Sequence, residues 1–211
     1  MREARNHSEF SSKNVRTSSK KHRFHKFNLL MSIQIIYFVH GTTTDNEKDI
    51  SSGWADADLS DLGKKQSIDL KEKIKGMKFD VVFCSDLKRA TESAKLTFEG
   101  TTQILTDSRL RECNYGIYNG KPSSIVEPMQ EKSIDVRFPE GESYEDVKIR
   151  IAGFLHFLKQ IYDGKKVAIV SHKAPQLALE VLLNGKTWQQ AFAEDWRKTK
   201  SWRPGWKYIL K

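Results

Sequence analysis

The chain has 211 residues, 38% of them hydrophobic, with 36 Lys and Arg against 27 Asp and Glu, a net charge of +9. The positive charge lies at the ends of the chain. Residues 1–30 hold eight basic and two acidic side chains, and residues 196–211 hold six basic and no acidic ones. The middle, residues 31–195, holds 22 basic and 25 acidic side chains. The length suits one well-buried domain, the acidic middle argues against nucleic acid as a partner, and the longest apolar run, Ile35–Val39, is far below the roughly 18 residues of a membrane helix.

The first 30 residues are predicted to be a basic, disordered leader. Serines alternate there with Lys and Arg, and no apolar period appears. This composition is also typical of an organellar transit peptide. Alternatively, the leader is a dispensable extension or a misplaced start, because Met31 directly precedes the first predicted strand. Residues 31–211 are predicted to form a single domain.

Strands and helices alternate from Met31 onward. Apolar runs typical of buried strands occupy 33–39, 81–84 and 167–170, and a weaker one occupies 103–105. Helical patterns occupy 62–75, 87–98, 144–163 and 174–183, with Ser60 and Ser143 as predicted N-caps. A long loop covers 113–142. This alternation predicts an α/β fold with three layers, an open and mainly parallel sheet with helices on both faces.

Two histidines directly follow predicted strands. His40 follows the first strand and His172 the last, while Ser85 and Asp86 follow the second. Ligands of open parallel sheets bind beyond the carboxyl ends of the strands, so we expect these ends to share one site. A third histidine of the domain, His156, lies within a predicted helix and is predicted to have no role.

Several sequence blocks around these residues resemble the histidine phosphatase superfamily, the phosphoglycerate mutase-like fold. The first block, Val39-His40-Gly41-Thr42-Thr43-Thr44-Asp45-Asn46, is similar to Arg-His-Gly-Glu/Gln-Thr-x-x-Asn of the family. The other blocks, in the family order, occupy 53–66, 85–94, 110–116, 139–143 and 170–172. The resemblance spans about residues 33–183 and depends on the order and spacing of all the blocks together.

The resemblance implies catalysis through a phosphohistidine. His40 would be the nucleophile that attacks phosphorus. His172 would stabilise the negative charge on the phosphoryl oxygens. Glu112 would protonate the leaving oxygen and then deprotonate the water that hydrolyses the phosphohistidine. The scheme requires no metal and no cofactor.

The resemblance also implies the residues that bind the ligand, a small phosphorylated substrate. Phosphate-binding residues would be Arg89 and Asn46. Substrate-binding residues would be Thr43, Ser52 and Gly53. The predicted domain has only three histidines, none of them paired at the spacing of metal ligands, so a metal site is not expected there.

The chain departs from the family pattern at Val39, where the family has an arginine directly before the nucleophile. Losing one preorganised donor from such a site typically costs about 10² to 10³ in rate. We expect Lys173, which follows His172, to supply the replacement cation and bind phosphate. The reserve candidates are Arg109, Arg111 and Arg137. Thr42, in place of Glu or Gln, is a milder departure.

The choice between phosphatase and mutase depends on the segment between Glu112 and His172. Only 60 positions separate them and no Arg-Arg pair occurs there, which favours a short cap, open to water, and thus a phosphatase. The stretch Ser52-Gly53-Trp54 resembles mutases and keeps phosphoglycerate mutase-type transfer as the alternative. In a third interpretation, Val39 marks a non-catalytic relative that binds a phosphorylated ligand or a partner protein.

The last segment, about 187–211, is rich in tryptophan and basic residues. It holds four of the five tryptophans, and Trp188, Phe192 and Trp196 recur every four positions, which predicts a helix that covers a sheet edge or the core. The alternatives are a homodimer surface and a lid that brings Arg203 or Lys207 near an anionic substrate.

The expected compartment is the cytoplasm, with organellar import through residues 1–30 as the alternative. The two cysteines, Cys84 and Cys113, form no Cys-x-x-Cys pair and indicate a reducing environment. No membrane partner is expected, because the segment rich in tryptophan and basic residues lacks amphipathic length.

Overall fold

The computed structural model describes residues 31–199 and 205–211, so the predicted leader and Arg203 lie outside the described residues. The strands are β1 Ile33–Val39, β2 Ile50–Ser51, β3 Val81–Cys84, β4 Ile104–Thr106, β5 Lys121–Pro122, β6 Lys166–Ser171 and β7 Trp206–Leu210. The α-helices are α1 Thr44–Glu47, α2 Asp61–Lys73, α3 Lys88–Phe98, α4 Ser123–Val126, α5 Tyr144–Ile161, α6 Lys173–Asn184, α7 Trp188–Ala193 and α8 Trp196–Thr199. None of these helices is long and apolar enough to cross a membrane.

Five of the strands form one sheet in the order β4-β3-β6-β1-β7. The pairs β3–β4, β3–β6 and β1–β6 are parallel, and β7 runs antiparallel to β1. The predicted, mainly parallel sheet is confirmed. The sequence did not predict β7, nor the small antiparallel pair of β2 and β5, which joins the long loop to the segment that follows α1.

Both faces of the sheet are covered by helices. Ile35 and Tyr37 of β1 lie in a core that includes apolar residues of α5 and α6. Ile36 and Phe38 lie in a second core with residues of α2 and α3. Because successive side chains of a strand point to opposite faces, a strand covered on both sides reads as a continuous apolar run, which is what the sequence shows.

The two predicted helix N-caps are confirmed. The Ser60 hydroxyl accepts a hydrogen bond from the Gly63 N–H at 3.2 Å. The Ser143 hydroxyl accepts from the Asp146 N–H at 3.1 Å, and the Asp146 carboxylate accepts from the Ser143 N–H at 2.9 Å, a reciprocal capping box. At its other end α5 stops at Ile161, before the predicted stop at Gly164, and the Ile161 side chain is 62% exposed.

The tryptophan-rich segment covers the core, as predicted, but not as one helix. The rings of Trp188 and Phe192 in α7 lie 5.4 and 4.8 Å from that of Tyr144 in α5. Both side chains are buried inside the chain and are therefore not available for a dimer surface. Trp196 starts the separate helix α8, and its ring lies 6.0 Å from that of Trp206 in β7.

Candidate active site

The two strand-end histidines lie side by side. In the parallel pairing of β1 with β6, Val39 is opposite Ser171, so the next residues, His40 and His172, leave the sheet together. Their ring centroids are 5.0 Å apart. The buried Tyr37 hydroxyl donates to the His172 carbonyl at 2.6 Å and accepts from the His172 N–H at 3.0 Å. These two hydrogen bonds from the Tyr37 side chain of β1 fix the backbone at the end of β6.

The environment of His40 makes it a neutral imidazole with one available nitrogen. Its Nδ1 lies 2.7 Å from the Gly41 carbonyl oxygen. A carbonyl can only accept, so Nδ1 carries the proton and Nε2 keeps its lone pair. Burial, followed by the charge of Arg89, lowers the pKa of His40 to about 3. At neutral pH the ring is therefore in the form that a nucleophile needs.

His172 is fully buried, and neither of its ring nitrogens has a hydrogen-bond partner in the described parts of the chain. Burial is also the main cause that holds its pKa well below the usual range, with Arg89 next. Buried polar groups are normally hydrogen-bonded, and a catalytic role is one of the explanations for an exception.

Glu112 is held by the backbone at the start of α6. Its Oε1 accepts from the N–H groups of Cys113 and Ala174, both at 2.9 Å. Its Oε2 accepts from the Lys173 N–H at 3.1 Å. Two of these donors belong to the first turn of α6, whose N-terminal end attracts negative charge. The carboxylate is thereby oriented at the cavity with only one hydrogen bond on Oε2.

Arg89 is held by the loop that follows β2. Its guanidinium is buried and donates to the carbonyl oxygens of Gly53 at 2.6 Å and Ala55 at 3.0 Å. Gly53 has a φ of +56°, and a Cβ there would lie 1.9 Å from Asn119 Oδ1. The backbone of this loop thus needs glycine at that position. Its carbonyl groups fix the Arg89 guanidinium near both histidines.

Asn46 lines the cavity, and its amide oxygen is used in the cap of α1. Its Oδ1 accepts from the Thr43 N–H at 3.1 Å, and its backbone N–H donates to the Thr43 hydroxyl at 3.0 Å. The capping box of α1 therefore uses the oxygen of the amide and leaves Nδ2 as donor. Thr43 was predicted to bind substrate, but it is wholly buried and is not among the residues that line the cavity; its hydroxyl serves as this cap. The structure does not support the predicted role.

These groups surround a cavity of about 830 Å³. Of the residues predicted for the site, the cavity wall includes His40, Asn46, Ser52, Gly53, Arg89, Glu112 and Lys173. His172 is not part of the wall and lies against His40. Within residues 31–199 and 205–211, no three His, Cys, Asp or Glu side chains are grouped so as to hold a metal ion.

The predicted role of Lys173 is not supported. Its ammonium forms a buried ion pair with Asp195 Oδ2 at 2.8 Å and donates to Gln130 Oε1 at 3.1 Å. A carboxylate thus already compensates its charge. The reserve arginines are also paired, with Asp107, Asp86 and Asp146, and none of the three lies in the cavity wall.

The wall also includes residues that the sequence did not single out for the site, among them Trp196 and Arg197 of α8. The available signal was the cluster of tryptophans and positive charge after residue 187. From this cluster the sequence predicts Arg203 and Lys207 as the candidates near an anionic substrate. Lys207 lies on the exposed side of β7, away from the cavity wall, and Arg203 lies outside the described residues.

A family model for the histidine phosphatase superfamily (branch 1) matches residues 36–203. The chain belongs to this superfamily. The matched range includes every residue of the site described above and also α8.

Individual members of the superfamily to which the chain is similar include both mutases and phosphatases. A 2,3-bisphosphoglycerate-dependent phosphoglycerate mutase of Beijerinckia indica is 30% identical over 70% of this chain and 79% of its own length. Phosphoserine phosphatase 1 of Hydrogenobacter thermophilus is 28% identical over 72% and 77%. The crystal structure of the alpha-ribazole phosphatase from Shigella flexneri has a TM-score of 0.68 at 22% identity, over 76% and 84% of the two chains, which shows the shared fold.

Proposed function

We propose that this chain is a phosphomonoesterase that acts on a small phosphorylated metabolite through a phosphohistidine at His40. The observation that carries the proposal is the pair of neutral histidines. His40 faces the cavity with Nε2 available, and His172 lies 5.0 Å away, ring to ring, with no partner among the described residues. A neutral imidazole beside an arginine is the arrangement required for attack on a phosphoryl group.

The reaction would proceed in two displacements. In the first, His40 Nε2 bonds to phosphorus, the ester P–O bond breaks, and Glu112 gives its proton to the leaving oxygen. In the second, water bonds to phosphorus, Glu112 takes its proton, and the P–N bond breaks to release inorganic phosphate and neutral His40. Negative charge on the phosphoryl oxygens would be stabilised by Arg89, His172 and the Asn46 amide.

The charges of the cavity wall favour a phosphatase over a mutase. Besides Glu112, three acidic residues, Asp49, Asp69 and Glu127, line the wall together with the cations. One of those cations, Lys173, is compensated by Asp195. Such a wall suits a substrate with one phosphate better than one with several anionic groups, because each further anion would meet a carboxylate.

Mutase activity is the second candidate, because mutases are among the relatives and because Ser52-Gly53-Trp54 resembles the mutase sequence. Incubation with 3-phosphoglycerate separates the two. We expect release of inorganic phosphate, whereas formation of 2-phosphoglycerate without phosphate release would favour the mutase.

The proposal is tested by trapping the phosphoenzyme. The full chain is mixed with a radiolabelled phosphomonoester in the presence of EDTA and quenched in base, in which phosphohistidine survives. We expect label on His40 and turnover that EDTA does not abolish. His40→Ala should lose both. His156→Ala, which changes an exposed histidine of α5, should lose neither. Binding of phosphate without label or turnover in the unaltered chain would instead support a non-catalytic relative.

A further inference from the structure

The cavity wall beside the nucleophile is apolar. Val39 precedes His40 and lines the cavity, at the position where the family pattern has an arginine. The cations of the described wall are Lys73, Arg89, Lys173 and Arg197. Arg89 is tied to the Gly53 and Ala55 carbonyls and Lys173 to Asp195. Arg197 is the second arginine of the described wall.

Arg197 brings a guanidinium to the cavity from α8. Its Cζ lies 5.0 Å from the centroid of the Trp196 ring, so the indole supports the planar group. In the described residues no carboxylate forms a salt bridge with this side chain, in contrast to Arg109, Arg111 and Arg137. The charge of Arg197 also contributes to the lowered pKa of both His40 and His172, and for His172 it ranks after burial, Arg89, His40 and Arg150.

A buried ion pair links α8 to the catalytic end of the sheet. Asp195, directly before α8, is 2% exposed, and its partner Lys173 is 4% exposed. The other oxygen of Asp195 accepts from the Arg197 N–H at 3.0 Å. One carboxylate thus joins the first turn of α6, which also holds Glu112, to the backbone that carries Arg197.

We propose that Arg197 is a phosphate-binding residue that replaces the cation missing at Val39, and that Lys173 and Asp195 are positioning residues that hold it at the cavity. This inference rests on the proposed function, since it assigns the group that binds the phosphoryl oxygens in the same site. A guanidinium can donate two parallel hydrogen bonds to two of these oxygens. Lys173 thus takes part indirectly, by holding the carboxylate that orients Arg197.

The test measures the Kd of inorganic phosphate by titration calorimetry with the full chain. Arg197→Ala should weaken binding about 10- to 100-fold, the range for hydrogen bonds to a charged group. Arg197→Lys should lose less of the phosphate affinity than Arg197→Ala, because lysine keeps the positive charge and lacks only the planar pair of donors. The matched control is Lys198→Ala, which removes the same charge from the next position of α8, outside this cavity wall, and should bind phosphate as the unaltered chain does.

A second variant keeps the test decisive. Val39→Arg returns a guanidinium to the position before His40, so in the Arg197→Ala background it should restore at least part of the phosphate affinity. If the unaltered chain binds phosphate and labels His40 but Arg197→Ala binds equally well, this inference is overturned and the proposed function stands. If the unaltered chain neither binds phosphate nor labels His40, the proposed function fails, and this inference with it.

The positioning role is tested by a double-mutant cycle. Asp195→Asn should weaken phosphate binding, and the combination with Arg197→Ala should bind no more weakly than Arg197→Ala alone, because the carboxylate acts only through the arginine. A purely structural role of Asp195 would lower the midpoint of thermal unfolding and leave the affinities additive, which would contradict the assignment.

Discussion

Backbone N–H groups, rather than side chains, orient the carboxylate of Glu112. The three donors come from Cys113, Lys173 and Ala174. In the proposed reaction, a carboxylate fixed in this way would keep its place through both displacements, while its proton leaves and returns. The Glu112 carbonyl is held as well, by the Trp54 indole at 2.7 Å and the Arg150 guanidinium at 2.9 Å.

We predict that Glu112→Gln separates the two displacements. With p-nitrophenyl phosphate the leaving group needs no proton, so phosphorylation of His40 should continue, whereas hydrolysis should slow by about 10²- to 10⁴-fold because water loses its base. Rapid-quench kinetics should show a burst of p-nitrophenolate and accumulated phosphohistidine. Glu127→Gln changes another carboxylate of the cavity wall and serves as control. A Glu112→Gln variant with unchanged steady-state turnover would exclude the shuttle role.

The backbone of the loop after β1, which contains Gly41 and Thr42, approaches the backbone of α2 closely at two points. A Cβ at Gly41 would lie 2.4 Å from the Gly63 carbonyl oxygen, and a Cβ at Gly63 would lie 1.9 Å from the Thr42 carbonyl oxygen. The Gly41 N–H also donates to the Ser93 hydroxyl at 2.9 Å, which ties the loop to α3. Because the obstructing atoms are backbone, no rotamer change makes room for a side chain.

For Gly41→Ala we predict a free energy of unfolding about 1–3 kcal/mol lower, the usual cost of overpacking, together with loss of phosphoenzyme formation as His40 is displaced. Gly153→Ala is the control, since nothing lies within 4 Å of a Cβ there. Because Gly153 lies within α5, that substitution should stabilise by about 0.5–1 kcal/mol. Urea denaturation measures both. Equal free energies of unfolding of the two variants would show that the close approach at Gly41 does not affect stability.

Local patterns in the sequence predicted the elements of the sheet core and the strand-end histidines. The antiparallel strand β7 escaped prediction because Ile209, 51% exposed, interrupts the alternation set by the buried Tyr208 and Leu210. The pair of Lys173 with Asp195 escaped for another reason. It joins residues 22 positions apart and depends on the turn at Gly185 and on the path of α7, which no local period encodes.

At the scale of the molecule, two neutral histidines, the buried His172 and the partly buried His40, make folding sensitive to acid. The pKa of His40 is lowered from 6.5 to about 3, mainly by burial, and that of His172 is lowered well below 6.5 for the same reason. Below pH 6.5 the unfolded chain binds protons at these positions before the folded chain does, so protonation favours unfolding.

We therefore predict that the free energy of unfolding attributable to these rings is constant above about pH 6.5 and declines as the pH falls from there towards about 3. Urea denaturation of the full chain at several pH values measures this decline. His172→Asn should show a shallower decline than the unaltered chain, because one such ring is gone. His156→Ala, in an exposed position, should follow the unaltered chain. An unchanged slope in His172→Asn would contradict the assigned cause.

The interior position of β1 in the sheet has a consequence for amide hydrogen exchange. Its backbone is hydrogen-bonded to β6 on one side and to β7 on the other, so the amides leading to His40 should exchange only when the whole sheet opens. Helix α8 has four residues and is attached through Asp195 and the Trp196 ring. Its amides should exchange through local opening at a much lower free energy. Such opening would remove the Arg197 guanidinium from the cavity while His40 stays in place. In this state the proposed affinity for phosphate would be lower, although His40 itself would be unchanged.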